Sequence, residues 1–482
     1  MTQFHLFVRR VGLVGLTQLI VGLQGLILLP ILTKNLSIEN YGIWAQIMVT
    51  IGIVPNVVLL GLPYTMVRFI PALESKEDLQ ETFYSLFSIV LFSTIIASIV
   101  LYLFSEQIAG LLFEGNLIVT HILVLIVFLE CLILFLINYL RAKQYIKKYS
   151  SIMLSKTLLM IVIVGYFVFS GQGIIGAVSG LLIINCTLLF ILSILVYNDV
   201  GFKVPHFHNL KEFLNFGIPT IPGNLSSWVV NSSDRYVIGI LLGVSSVGYY
   251  SPGYSLGNIV KMFVSSISFL LPSILSENYD KNQIDNVKII LTYSFKYFMI
   301  VAIPATFGLS LLSKPLLTIL STPEIAEKGY LVTPFIAVSM LFFGARAITA
   351  QIIILEKQTH INGKVWIIAG ILNLVLNFLL VPYIGIIGAA FTTLLAFAFS
   401  FIIITIYSHK FLSFDMSLRP ILKSIFSSSV MAIPIILYKP TELHNILLII
   451  VLCAAIYFVL MYALKTFRDE EILFFKSLIH HR

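Results

Sequence analysis

Charge is scarce in this sequence. Asp, Glu, Lys and Arg make up 11% of 482 residues, against roughly 25% in soluble domains. Hydrophobic residues make up 59%, and the mean hydropathy is +1.00. No single soluble core could hide so much apolar surface, so a soluble fold is excluded. Cysteine is also scarce. Cys131, Cys186 and Cys453 are the three present, and all fall in predicted helices, so no disulfide framework or metal centre is expected. Enzymatic motifs are missing: no His and Glu stand at zincin spacing, and no phosphate-binding glycine loop precedes a Lys-Ser or Lys-Thr pair. ATP hydrolysis by this chain is therefore not expected, nor is any cofactor. Long polar connections are missing as well. None of the connections, that from Asn198 to Glu212 included, leaves room for an inserted soluble domain.

What is present is a succession of uncharged runs. Val11–Thr33 and Tyr41–Val67 each exceed the about 20 apolar residues a helix needs to cross the hydrocarbon core. Val365–His409 is broken by Val381-Pro382-Tyr383-Ile384-Gly385, and Thr157–Asn198 by Ser170-Gly171-Gln172-Gly173, so each reads as two helices and a turn. Continuous apolarity excludes barrel strands, which alternate with period two. The fold class expected is all-α and integral to the membrane, with about fourteen spans: 11–33, 41–66, 83–105, 117–140, 152–170, 174–197, 213–242, 247–275, 289–312, 331–354, 365–381, 385–408, 421–438 and 445–464. Arg9-Arg10 before the first run could suggest a signal peptide, but the run exceeds the usual h-region of about 7–15 residues, so a retained helix is expected.

Basic residues set the orientation. Of the 30 Lys and Arg, five lie within spans (Lys156, Arg235, Lys261, Lys296 and Arg346). With the N-terminus in the cytoplasm, only Lys34, Lys314, Lys328 and Lys439 lie outside, and all the rest are cytoplasmic. That asymmetry follows the positive-inside rule and places both termini in the cytoplasm. The formal charge of +8 then reflects topology and anionic lipid headgroups, not nucleic acid.

The sequence also repeats. Gly173-Ile174-Ile175-Gly176-Ala177 opens the sixth span and Gly385-Ile386-Ile387-Gly388-Ala389 the twelfth. Tyr41-Gly42-Ile43-Trp44 opens the second and Val247-Gly248-Tyr249-Tyr250 the eighth. Two six-helix lobes in parallel repeat are expected, residues 1–200 and 201–410, with two added helices and a cytoplasmic tail in 411–482.

Function in such a chain should show as polar groups inside the membrane, where a central charge costs roughly 2.5–3.5 kcal/mol. Lys156 is near enough to a helix end to snorkel. Lys296 lies about two turns in. Lys261 and Arg346 lie near the midplane, and Glu130 and Asp234 are the comparably deep acids. Either Glu130 pairs with one of the deep bases and locks two helices, or the surplus bases face a hydrated cavity that receives an anion. Tyr254, Asn258, Lys261 and Ser265 share a helical face, as do Asn224, Ser227, Asn231 and Asp234, and Asn373 with Asn377. Such stripes are either interhelical hydrogen-bond seams or the walls of an aqueous lumen. Pro219 and Pro222 should kink the seventh span. The nine His residues include His206, His208, His409, His480 and His481 near cytoplasmic loops or the tail, where a surface location is expected.

Three segments carry a resemblance: Leu32-Thr33-Lys34-Asn35-Leu36-Ser37-Ile38-Glu39-Asn40-Tyr41-Gly42-Ile43-Trp44; Gly61-Leu62-Pro63-Tyr64-Thr65-Met66-Val67-Arg68-Phe69; and Ser233-Asp234-Arg235-Tyr236-Val237-Ile238-Gly239 followed by Gly248-Tyr249-Tyr250-Ser251. Over most of its length the chain resembles the polysaccharide-export (Wzx-type) flippases of the multidrug/oligosaccharidyl-lipid/polysaccharide exporter superfamily. The resemblance implies a V-shaped two-lobe fold with a central cationic cavity, and a glycan substrate linked to undecaprenyl diphosphate, or to a dolichyl equivalent in archaea. Arg235, Lys261 and Arg346 are then the expected diphosphate-facing bases, with Arg68 and Lys296 near the cytoplasmic entrance. Asp234 and Glu130 are coupling or structural acids, and Asn231, Tyr254, Asn258, Asn373 and Asn377 are polar residues of the cavity. Expected partners are the lipid-linked glycan, membrane lipids and polymerases or other assembly proteins, with the chain acting as a monomer. A cation-coupled drug antiporter of the same superfamily is a weaker reading, since the first span holds no carboxylate. A membrane glycan polymerase or ligase is weaker still, since no external loop exceeds about eighteen residues.

Overall fold

The computed structural model describes residues 3–416, 418–467 and 471, and among these there are helices, turns and bends but no strand. Water is absent from the bilayer core, so each backbone N–H and C=O must bond within its own segment, and the helix meets that demand. Helix starts outside the core are capped by side chains. Ser37 accepts from the Asn40 N–H, Ser75 from that of Asp78, Asn116 from that of Val119 and Thr322 from that of Ile325.

Among the described residues, twelve helices are long and apolar enough to cross a membrane. The expected count of fourteen is not confirmed: the seventh and eighth spans are interrupted, and their longer helices, Ile221–Leu242 and Val260–Asp280, are long enough to cross but are not among the twelve. The seventh consists of Leu210–Gly217, a 3-10 turn at Ile218–Thr220 and Ile221–Leu242. Pro219 lies within that turn and Pro222 just after it, and neither can supply the backbone donor a continuous helix requires. The eighth consists of Val244–Gly257 and Val260–Asp280, joined through Asn258 and Ile259. A π-helical turn at Met160–Val164 interrupts the span Ile146–Phe169.

The repeat is visible in the succession of elements. The 28-residue helix Lys76–Leu103 and the 8-residue helix Ser105–Leu112 recur as Ile284–Leu311 and Ser313–Leu320, with the same lengths. Gly173 and Gly385 both adopt left-handed backbone, at φ 61° and 67°, before the sixth and twelfth spans. The second repeated segment shows more. A Cβ on Gly42 would collide with the Val244 carbonyl, and a Cβ on Gly248 would collide with that of Ile38. Ser245 donates to Glu39 at 3.0 Å. Residues 38, 39 and 42 correspond to 244, 245 and 248 at a constant offset, so the contact is reciprocal, as at a local two-fold axis. Equivalent helix starts meet on one side, which inverted repeats would place on opposite faces.

The chain folds as two compact units, Met1–Pro252 with Gly363–Ala396, and Gly253–Asn362 with Phe397–Arg482. In the first, Leu117–Ala142 is the central helix. Its Phe135 and Tyr139 pack on Phe83 of Lys76–Leu103. In the second, Ile284–Leu311 is packed by the two last spans, Leu418–Tyr438 and Leu443–Ala463, through Ile300, Met431, Ile435, Cys453 and Tyr457. Leu447, Leu448, Val451 and Val459 stay exposed on the last span, as a lipid-facing surface requires.

Candidate functional site

In the first unit, the turn after Ile38–Val58 positions the site. Leu60 and Gly61 are left-handed, at φ 50° and 70°, and a Cβ on Gly61 would overlap the Gly217 carbonyl. This close approach sets Leu62–Phe69 against Leu210–Gly217 and directs Tyr64 and Arg68 into a cavity of about 780 Å³. Asn56 lines it from Ile38–Val58, Asn224 from Ile221–Leu242, and Glu130, Asn138 and Arg141 from Leu117–Ala142. The Tyr64 hydroxyl donates to Asn224 Oδ1 at 3.3 Å. Lys156 Nζ donates to both Glu130 oxygens, at 2.7 and 2.8 Å, so the acid of this cavity is neutralised. Lys156, expected to snorkel, is instead the helix-locking partner of Glu130; Lys261 and Arg346 are not. Arg68 and Arg141 are exposed and, among the described residues, make no ion pair. The cavity can therefore accept an anion.

Arg235 is differently placed. Its guanidinium folds onto the adjacent Asp234, with Nη1 2.9 Å from Oδ1, and lies over the Tyr250 ring. The Asp234 carboxylate is 1% exposed; it also accepts the Arg235 N–H and a short hydrogen bond from the Tyr250 hydroxyl. Gln46 donates to the Arg235 carbonyl at 2.8 Å, and Arg235 Nη1 to the Asn231 carbonyl at 3.0 Å. Asn373 and Asn377 are fully buried. Asn377 and Ser233 donate to Asn373 Oδ1, and Thr392 donates to Asn377 Oδ1. That stripe is an interhelical hydrogen-bond seam.

In the second unit, the Tyr254, Asn258, Lys261 and Ser265 stripe crosses the break at Asn258 and Ile259, so it is not one continuous helical face. Gly253 and Gly257 let the Val244–Gly257 segment approach the backbone near Gly329 and Thr333. Lys261 is half-buried, with Nζ 4.8 Å from the Phe343 ring centre; among the described residues it makes no ion pair. Arg346 is 4% exposed and donates through Nε to Ser400 at 2.5 Å and through Nη2 to Asn362. Lys296 donates to both Glu471 oxygens, at 2.9 and 2.8 Å, and Tyr297 also donates to Glu471. It is thus held in a buried ion pair. Lys296 also lines, with Lys288, Arg419, Lys423 and Lys465, a cavity of about 950 Å³. An apolar groove of about 300 Å³ lies between Ile284–Leu311 and the last two spans.

The family described as polysaccharide biosynthesis protein matches residues 7–278, more than half the chain. The chain belongs to that family. The MatE family also matches this family member, over residues 219–379. It is 24% identical to the probable low-salt glycan biosynthesis flippase Agl15 of Haloferax volcanii over 234 residues, 48% of this chain and 49% of that protein. The chain therefore spans about half the length of this curated relative. An uncharacterized membrane protein of Methanocaldococcus jannaschii is 24% identical over 437 residues, 83% of each chain. The fold is similar to that of the lipid II flippase MurJ in an inward closed conformation: the TM-score is 0.77 and the identity 16%, over 98% of this chain and all of that one. An inward-facing multidrug resistance MATE transporter follows, with a TM-score of 0.69 and 14% identity, over 82% of this chain and 97% of that one. The family member is a multi-pass membrane protein of the superfamily to which such flippases and MATE transporters belong.

Among functional candidates, Arg141, Asn56 and Asn138 escape the sequence reading. Glu130, Asn138 and Arg141 stand at i, i+8 and i+11, one face of a helix. That spacing was available as a signal, but Arg141 reads as an ordinary cytoplasmic helix end.

Proposed function

We propose that this protein flips a polyprenyl-diphosphate-linked oligosaccharide across the cytoplasmic membrane, by alternating access and without hydrolysing a nucleotide, for surface glycan biosynthesis. The observation that carries this reading is the cavity in which Arg68 and Arg141 stay uncompensated while Lys156 neutralises Glu130. A diphosphate brings about two negative charges, and an uncompensated charge leaves water at prohibitive cost. Arginine grips phosphate oxygens through two parallel hydrogen bonds. In the second unit Lys261 and Arg346 are the bases that would face the diphosphate, Arg346 already donating to Ser400 and Asn362. Arg235 and Lys296 drop to structural roles, because Asp234 and Glu471 already hold them. The apolar groove of the second unit suits a prenyl chain. The name of one curated relative, the probable low-salt glycan biosynthesis flippase Agl15, agrees with this reading.

The lobes 1–200 and 201–410 would alternate, with 411–482 added to them and both termini in the cytoplasm. The chain would act as a monomer that delivers its product to polymerases or other assembly proteins. A cation-coupled antiporter needs a carboxylate free to exchange ions, and both Asp234 and Glu130 are held by bases. Glycan export in cells relying on this protein tests the reading. Arg68→Ala, Arg141→Ala and Lys261→Ala should each reduce export about tenfold or more, the loss of one charged hydrogen bond, at normal membrane abundance. Lys261→Arg should be milder than Lys261→Ala. Normal export by the Ala variants would remove the cavity from the mechanism.

A further inference from the structure

The connection 201–209 lies along one face of the helix Lys76–Leu103 in the first unit. Gln80 Nε2 donates to the Val200 carbonyl at 2.8 Å, the Tyr84 hydroxyl to that of Gly201 at 2.5 Å, and Lys203 Nζ to that of Glu77 at 3.2 Å. Glu81 stands among these helix residues. Its Oε1 accepts the backbone N–H groups of His206 and Phe207, at 2.8 and 2.9 Å. Its Oε2 is buried and, among the described residues, accepts no hydrogen bond. Phe207 is left-handed, at φ 60°, and the imidazoles on either side of it lie 5.6 Å apart. His206 Nδ1 is 3.5 Å from Glu81 Oε2, and His208 Nδ1 is 3.8 Å from Oε1. One ligand atom from each of the three residues lies within 4.8 Å of the other two.

We propose that Glu81, His206 and His208 form a binding site for a divalent zinc-class cation that clamps the connection between the repeats to this helix. A tetrahedral ion about 2.0–2.2 Å from each ligand sets the ligand atoms about 3.4 Å apart. His206 Nδ1 stands near that distance from one Glu81 oxygen and His208 Nδ1 from the other. Rotation of the imidazoles, which are 69% and 72% exposed, can close what remains. Two imidazoles and a carboxylate suit zinc and its neighbours in the first transition row better than calcium or magnesium, which prefer oxygen. The fourth position opens to solvent, so water completes the shell. The ion would give Oε2, which accepts no hydrogen bond among the described residues, a ligand bond, and it would hold the segment through which the first six spans join the rest of the chain.

The test uses full-length protein carrying no histidine tag, with His480→Ala and His481→Ala to silence the tail. Zn2+ alone is titrated against a chromogenic chelator, and trypsin cleavage at Lys203 is followed in parallel. One Zn2+ per chain should bind, and it should slow cleavage at Lys203. His206→Ala and His208→Ala, both at exposed positions that leave the fold intact, should each weaken binding more than tenfold and abolish the protection. Glu81→Gln should weaken binding too, and His121→Ala should change neither readout. If no Zn2+ binds, or if binding and protection survive in the His206→Ala/His208→Ala double variant, Glu81 forms ordinary ion pairs with the two imidazoles and the proposal is overturned.

Discussion

Glu130 and Lys156 show why a basic residue inside a span need not touch substrate. The Glu130 carboxylate is buried, and both its oxygens are held by one ammonium group. Removing one partner of a buried pair leaves an unpaired charge, at a cost of about 3–5 kcal/mol, whereas removing both is often nearly neutral. Lys156→Ala should therefore lower both membrane abundance and Tm, and adding Glu130→Gln should restore them. Arg68→Ala and Arg141→Ala should leave Tm unchanged, because neither base is paired. Thermal melts of the purified variants check all four. A Tm drop for the arginine variants equal to that for Lys156→Ala would make the cavity bases structural. Sequence could find the deep charges but not their partners. Lys156 and Glu130 are 26 positions apart on different helices, and only packing decides which base reaches which acid. Asp234 and Arg235 were legible as neighbours. That the guanidinium folds back onto the carboxylate depends on Gln46 and Tyr250, which arrive from elsewhere in the chain.

At the scale of single elements, hydropathy located most spans because lipid demands one unbroken apolar helix at each crossing. The interruptions at Ile218–Thr220 and Asn258 were less legible. The prolines announced a kink at the first, but nothing local announced a break after Gly257. Gly257 stands at that break where the chain packs so closely that a Cβ would press on Ile336 and the Thr333 carbonyl. Gly61 gives a sharper test. Its left-handed φ of 70° disfavours any L side chain, and the Gly217 carbonyl occupies the space of a Cβ. Gly61→Ala should reduce Tm and membrane abundance together. Gly110→Ala, in Ser105–Leu112 with open space around it, should be neutral or should stabilise by up to about 1 kcal/mol. Equal behaviour of the two variants in a thermal melt would refute the close approach.

For the molecule as a whole, the short motifs at a near-constant spacing were a faint sign of a large regularity. They gain weight because Gly42 and Gly248 each meet the other segment's first turn, while the flanking sequences have diverged. Charge asymmetry makes a further prediction: reporter fusions at Gln172 and Tyr383 should read external, and one at Lys147 cytoplasmic. Reversed signals would invert the orientation assigned to every loop. The substrate was legible only as an anion met by surplus bases; its lipid and sugar parts rest on family membership. The central claim is that the uncompensated bases carry a lipid-linked diphosphate across the membrane. Its most direct test is translocation of a polyprenyl-diphosphate oligosaccharide in sealed proteoliposomes containing this protein alone. Without nucleotide, the wild type should move the substrate, and Arg68→Ala/Arg141→Ala should move it at least tenfold more slowly at equal protein content and Tm. Equal rates for the two proteins, or a wild type that stays inactive until a nucleotide is supplied, would contradict the account.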